Sequence, residues 1–243
     1  MEKKYFAASE LIINGDGSVF HLHLKPEHLA DKVILVGDPG RVALVASHLS
    51  DIECEVESRE FRTVTGQYDG KRITVVSTGI GCDVCSEYSV GFDGLLNFYA
   101  GRNAVCDLQM ERALINHLGW TGNMCQPYPY VIKADETLVE RIAEGMVRGI
   151  TVACGGFFGP QGRQLRIPLA DPNQNEKIES FEYNGLHITN FEMESSALAG
   201  LARLMGHHAT TVCMVIANRR AGRADTAYKN HIDDLIRLVL ERL

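Results

Sequence analysis

The sequence predicts an α/β sandwich, on three observations. Short continuous β-branched runs recur along the chain, glycine-rich turns follow them, and stretches with a helical apolar stripe lie between. Val33-Ile34-Leu35-Val36 is the first run and enters Gly37-Asp38-Pro39-Gly40-Arg41. Residues 40–49 then read as a helix, with Val42, Val45, Ala46 and Leu49 on one side and Pro39 as a tolerated early-turn proline. Residues 61–68 alternate loosely before Asp69-Gly70, a hairpin turn leading to Ile73-Thr74-Val75-Val76-Ser77 and Thr78-Gly79-Ile80-Gly81. Helices are expected over 104–118 and 138–146, and a strand over 149–154. Residues 187–190 form a strand running into Glu192-Met193-Glu194-Ser195, where a helix with an Ala/Leu/Met face begins. A strand over 211–217 and a last helix striped by Ile232, Leu235, Ile236 and Val239 complete the pattern. Residues 82–100 fit badly: a parallel sheet needs a crossover of a dozen or more residues here, and none is visible.

Composition narrows the function classes. The chain has 243 residues, 45% of them hydrophobic, enough for one substantial core. With 24 Lys plus Arg against 31 Asp plus Glu, the formal charge of -7 argues against a broad nucleic-acid surface. No apolar stretch reaches membrane-spanning length, and the first ten residues lack the apolar run of a signal peptide. Seven cysteines, an odd number in a chain of this size, fit reduced thiols in a cytoplasmic protein.

Three segments carry chemistry. Gly37 and Arg41 bracket a strand-to-helix turn able to receive an anion, or simply a tight turn with a solvent-facing arginine. It is neither a P-loop nor a dinucleotide fingerprint. Glu192, Met193 and Glu194 sit at a strand-to-helix junction, where one carboxylate can face the helix N-terminus and the other a cleft. Such a pair suits a sugar, with Met193 against its apolar side; an ordinary cap with a core methionine is the alternative. Phe157-Phe158-Gly159-Pro160-Gln161-Gly162-Arg163 combines aromatic, amide and guanidinium groups in a glycine-rich loop. Gln161 and Arg163 could match the N–H and carbonyls of a pyrimidine-dione, with Phe157 as a wall; the alternative is a surface loop. His21 and His23 alternate in a strand-like stretch, but without a third ligand at useful spacing no metal site is expected, and Cys82-x-x-Cys85 lacks a second thiol pair. The pattern favours electrostatic catalysis on a sugar-containing substrate over a covalent nucleophile.

In order along the chain, VFHLHL (19–24), VGDPGR (36–41), SREF (58–61), VVSTGIG (75–81), FFGPQGR (157–163), NFEMESSAL (190–198) and VCMVIANR (212–219) resemble the hexameric nucleoside phosphorylases of the uridine phosphorylase type. The resemblance implies one domain over 1–243, a three-layer α/β/α sandwich with a mixed central sheet. It implies reversible phosphorolysis of uridine to uracil and ribose 1-phosphate, with inorganic phosphate as co-substrate and no cofactor. Gly37, Arg41 and Arg59 would bind phosphate. His21, Glu192, Met193 and Glu194 would hold ribose, while Phe157, Gln161, Arg163 and Ile216 would surround the base. Arg163 and Glu194 would be catalytic. The active unit would be a homodimer, with Arg59 and His21 crossing to the neighbouring subunit, and the assembly a homohexamer without nucleic-acid or membrane partners. Purine-specific relatives usually carry aspartate where this chain has Asn218, which favours a pyrimidine.

After STGIG the family continues through a helix and a strand ending in Arg-x-Gly-Thr-Ser/Thr-Gly, which supplies further phosphate and ribose contacts. This chain contains no such motif. The comparison puts a junction near Asp83 and Val84, with roughly 45 to 50 residues of crossover helix and strand absent. Two further readings therefore stand beside phosphorolysis: a non-catalytic nucleoside-binding oligomer, and a nucleosidase using water.

Overall fold

The computed structural model describes residues 11–78, 85–120, 128–225, 227–228 and 231–243. The chain divides into two compact units, Met1–Ile80 with Asp233–Glu241, and Gly81–Ile232 with Arg242–Leu243. In the first unit β1 (Lys32–Val36) runs into α1 (Pro39–Ala46), followed by β2 (Ser50–Ser58), β3 (Phe61–Tyr68) and β4 (Lys71–Ser77). The sheet order is β1-β4-β3-β2, with β1 and β4 parallel and the other pairs antiparallel. Asp69 and Gly70 turn the β3–β4 hairpin with φ of 47° and 72°, the two left-handed residues of a type I′ turn. Val42 and Val45 of α1 pack on Val64, Ile73 and Val75, and the C-terminal helix closes the same core through Ile236 and Leu240. Apolar burial of this kind contributes about 1.5–3 kcal/mol per large side chain, which holds helix to sheet.

The second unit holds β5 (Cys85–Gly91), α2 (Arg102–Val105), α3 (Leu108–Leu118), β6 (Tyr130–Lys133), α4 (Glu136–Ile142), β7 (Arg148–Ala153), α5 (Gln174–Glu179), β8 (Glu182–Tyr183), β9 (Leu186–Glu192), α6 (Ser195–Leu204), and the short pair β10 (Ala217–Asn218) and β11 (Arg223–Ala224). Its sheet runs β6-β5-β7-β9-β8, with β5, β7 and β9 mutually parallel and the edge strands antiparallel. Successive strand residues point to opposite faces. Val131 accordingly joins Val90, Ile150 and Val152 in a core with Met110, Leu114 and Leu118 of α3 and Ile178 of α5. Its neighbours Tyr130 and Ile132 pack on the other side with Leu96 and Ala199 of α6. Helices thus cover both faces of a mixed sheet. Gly91 is needed for this packing, because a Cβ there would lie 2.2 Å from the Tyr130 ring. The chain ends in α7 (Ile232–Arg242), and among the described residues no helix is long and apolar enough to cross a membrane.

Four sequence expectations change. Residues 19–24 form a turn rather than a strand: Val19 N–H bonds Leu24 O, His23 N–H bonds Val19 O, and His23 has φ of 52°. His21 and His23 therefore do not share a strand face. The helix over 104–118 is two, α2 and α3, broken where Cys106 bridges to Ile132 and the Asp107 carboxylate caps Gln109 and Met110 N–H. Residues 211–217 do not form one strand. Val212 makes an isolated bridge to Cys85, and Ala217 enters the β10–β11 hairpin. Residues 82–100, to which no strand was assigned, contain β5, an inner strand of the second sheet. The expected junction at Asp83 and Val84 lies outside the described residues.

Candidate active site

In the first unit the candidate anion site is the β1–α1 turn. Asp38 is the N-cap: its carboxylate accepts from Gly40 N–H at 2.8 Å, and Arg41 N–H bonds its carbonyl at 2.9 Å. Pro39 occupies the first turn, where its missing N–H costs nothing. Gly37 and Arg41 are half-buried beside this helix start. Arg59 lies in the β2–β3 turn with φ of 57°, its guanidinium 5.3 Å from the Phe20 ring centroid. Phe20 also meets His21 edge-on at 5.1 Å, and Ser58 Oγ donates to His21 O at 2.8 Å. The fold thus brings Arg59 and His21, far apart in sequence, around one aromatic ring on an exposed surface.

In the second unit, polar groups collect at the carboxyl ends of β5, β7 and β9, the ligand end of an open parallel sheet. Glu192 is only 5% exposed, and its carboxylate accepts from Glu194 N–H, Ser195 N–H and Ser195 Oγ at 2.7, 2.7 and 2.6 Å. It therefore caps α6 from two residues upstream of the cap position, which Glu194 occupies. Burial pushes the Glu192 carboxyl above the ordinary glutamate range, against the hydrogen bonds from Ser195 and Glu194. Met193 and Glu194 are half-buried next to it.

The loop after β7 supplies the second group. Gln161 is 3% exposed and its Nε2 donates to Glu192 O at 3.4 Å. Arg163 Nη1 donates to Gln161 Oε1 and, at 2.5 Å, to Phe157 O, while its guanidinium stacks 3.8 Å from the Phe157 ring centroid. The amide is thereby oriented, with a second N–H and a second lone pair left for recognition. Phe157 and Ile216 are partly exposed, at 46% and 40%.

Two residues here were not singled out as site residues from the sequence. Arg219 Nη1 donates to Gln161 O and its guanidinium lies 4.7 Å from the Phe191 ring centroid; burial and then Arg163 draw its pKa down. Asp93, just past β5, accepts from Tyr130 OH at 2.9 Å, Ser196 Oγ at 3.2 Å and Leu95 N–H at 2.7 Å, tying β5 and β6 to the first turn of α6. Its position after the carboxyl end of a parallel strand was the available signal, hidden because β5 itself was not recognised. Cys154, just past β7, is fully buried, and burial with the nearby Glu192 pushes its thiol up to about 12, so it is no nucleophile. The cluster can hold and polarise a planar amide-bearing ring beside a carboxylate, without covalent chemistry.

The family described as the phosphorylase superfamily matches residues 31–98 and 99–243. A curated uridine phosphorylase of Thermococcus kodakarensis is 31% identical over 236 residues, covering 88% of this chain and 82% of its own length. A DeoD-type purine nucleoside phosphorylase of Bacillus velezensis is 27% identical, covering 90% and 97%. Among solved structures, a Trypanosoma brucei nucleoside phosphorylase, whose description reports uridine phosphorylase activity, superimposes with a TM-score of 0.85 at 23% identity over 96% of this chain and 99% of its own. A uridine phosphorylase of the oomycete Phytophthora capsici gives 0.72 at 18% identity, over 98% of each chain. The last two establish the mixed α/β fold of nucleoside phosphorylases. With the family match over both units, the chain belongs to the nucleoside phosphorylase superfamily.

Proposed function

We propose that the protein is a cytoplasmic uridine phosphorylase, catalysing reversible phosphorolysis of uridine to uracil and ribose 1-phosphate. The observation that carries the base assignment is the coupled Gln161–Arg163 pair after β7, buried against Glu192 and stacked on Phe157. Its donors and acceptor complement the imide edge of uracil. Asn218, in place of the aspartate usual in purine-specific relatives, supports the same reading; its Oδ1 accepts from Ala221 N–H at 3.0 Å in the β10–β11 turn.

In this reading Gly37 and Arg41 bind phosphate, and Arg59 and His21 serve a neighbouring subunit's phosphate and ribose 5′-hydroxyl in a homodimer, itself part of a homohexamer. Met193 and Glu194 hold the ribose, with Glu192 fixing the backbone that carries them. Ile216 and Phe157 wall the base. Phosphate oxygen attacks the anomeric carbon as the glycosidic bond loosens and its electron pair passes to uracil. Glu194 stabilises the cationic sugar, and Arg163 stabilises charge on the departing base. The sequence carries no Arg-x-Gly-Thr motif, so Arg41 and Arg59 are the cations assigned to phosphate in this reading.

The DeoD-type relatives favour a second reading, purine nucleoside phosphorolysis. Incubating the protein with uridine or inosine, with and without phosphate, separates the two. Phosphate-dependent uracil release is expected. Hypoxanthine release alone would establish the purine reading, and uracil release independent of phosphate a nucleosidase. Nucleoside binding without turnover would leave a binding oligomer.

A further inference from the structure

The loop that carries Gln161 and Arg163 is tied to a helix that the sequence did not reveal. Gln174 Nε2, at the start of α5, donates to Pro160 O at 3.1 Å, and the next residue, Asn175, donates from Nδ2 to Gly162 O at 3.1 Å. The Pro160 carbonyl belongs to the peptide group that enters Gln161 and the Gly162 carbonyl to the one that enters Arg163, so each tie holds the planar group just before one of the two residues. Gly162 has φ of 67°, and a Cβ built there would lie 2.3 Å from Asn175 Oδ1. That oxygen is buried without a hydrogen-bond partner among the described residues. Turning the amide over would face its oxygen to the Gly162 carbonyl, acceptor against acceptor, so the orientation is set by the loop.

α5 is a firm post for such ties. Ile178 is fully buried in the core between sheet and helices, and Asp171 holds the approach to the helix through Asn173 N–H at 3.0 Å and Lys177 Nζ at 2.6 Å. Gly162, by contrast, is a natural hinge when unrestrained, since glycine has the widest choice of backbone conformations.

We propose that Gln174 and Asn175 are positioning residues for base selection: they fix the spacing between the Gln161 amide and the Arg163 guanidinium by tethering the loop to α5. The inference rests on the base-site reading above. The test uses the full chain with Asn175→Ala, Asn175→Asp and Gln174→Ala. Amide hydrogen exchange at Gln161, Gly162 and Arg163 is expected to quicken roughly tenfold in each, the effect of losing one hydrogen bond, while β7 amides stay unchanged. The KM for uridine is expected to rise by roughly the same factor with the KM for phosphate unchanged, a split that general loosening would not produce. Asn175→Asp keeps the side-chain volume but loses the donor, so it must behave like Asn175→Ala. Unchanged loop exchange, full function in Asn175→Asp, or equal rises in both KM values would each overturn the proposal. A wild-type protein releasing no base from any nucleoside would sink the functional reading separately, and the exchange measurement would still decide whether the tether exists.

Discussion

The first unit presents Gly37, Arg41, Arg59 and His21 on turns, with side chains exposed or half-buried and the backbone supplying the order. The second unit presents Gln161 and Glu192 almost wholly buried, each engaged by neighbouring groups before any ligand arrives. The difference separates two ways of building a binding group. An anion can be met by a helix start and mobile cations, because charge attraction tolerates loose geometry. A base edge must be met by donors and acceptors at fixed spacing, because a buried mismatch leaves a polar group unpaired.

Breaking the buried group should therefore have the larger effect. Arg163→Ala is expected to lower kcat/KM for uridine by roughly 10²–10³-fold, the range for losing a donor aimed at developing charge, with little change in the KM for phosphate. Steady-state uracil release over both substrates measures it. Glu192→Ala strips the cap from α6 and should destabilise the fold by about 2–3 kcal/mol, read from denaturant midpoints. Arg41→Ala should raise the KM for phosphate by roughly tenfold, the scale of one charge-assisted contact near solvent, and leave the denaturant midpoint in place. Equal damage to stability from Arg41→Ala and Glu192→Ala would erase the contrast.

The smallest effect concerns pH. Burial raises Glu192, so the folded chain holds this proton more tightly than the unfolded chain. Its contribution favours the fold at low pH and is lost as pH rises from about 4 through the raised value. Glu192→Gln should flatten that part of the stability profile. Asp233 has the opposite sign: Arg237 and His48 lower it, so its contribution is present above the ordinary aspartate range and fades as pH falls below it.

Local signals were legible where neighbours in sequence supply the structure. The Asp69-Gly70 hairpin and the early proline of α1 appear as read, and the run at Val33–Val36 is a parallel strand, but with Val33 and Leu35 exposed on one face rather than covered on both. The capping carboxylate anticipated in Glu192-Met193-Glu194 is Glu192. Misreadings fall where long-range partners override pattern. The alternation at 19–24 folds back on itself through Leu24 O and Val19 O. The break between α2 and α3 comes from the bridge to Ile132, and β5 is a strand because β6 and β7 flank it.

By itself the sequence determined the alternation of strands and helices, the strand-to-helix turn at Gly37 to Arg41, and the residue types on which the proposed sugar and pyrimidine contacts rest. These depend on short-range periodicity, glycine and proline geometry, and side-chain chemistry. Only the tertiary structure decided that Arg59 meets His21 through Phe20, that Arg219 bonds the Gln161 carbonyl and Asp93 the Ser196 hydroxyl, and that α5 holds the loop of Gln161. Those contacts join residues distant along the chain. Hydrogen bonds and burial select them only once the sheets have set which side chains are neighbours.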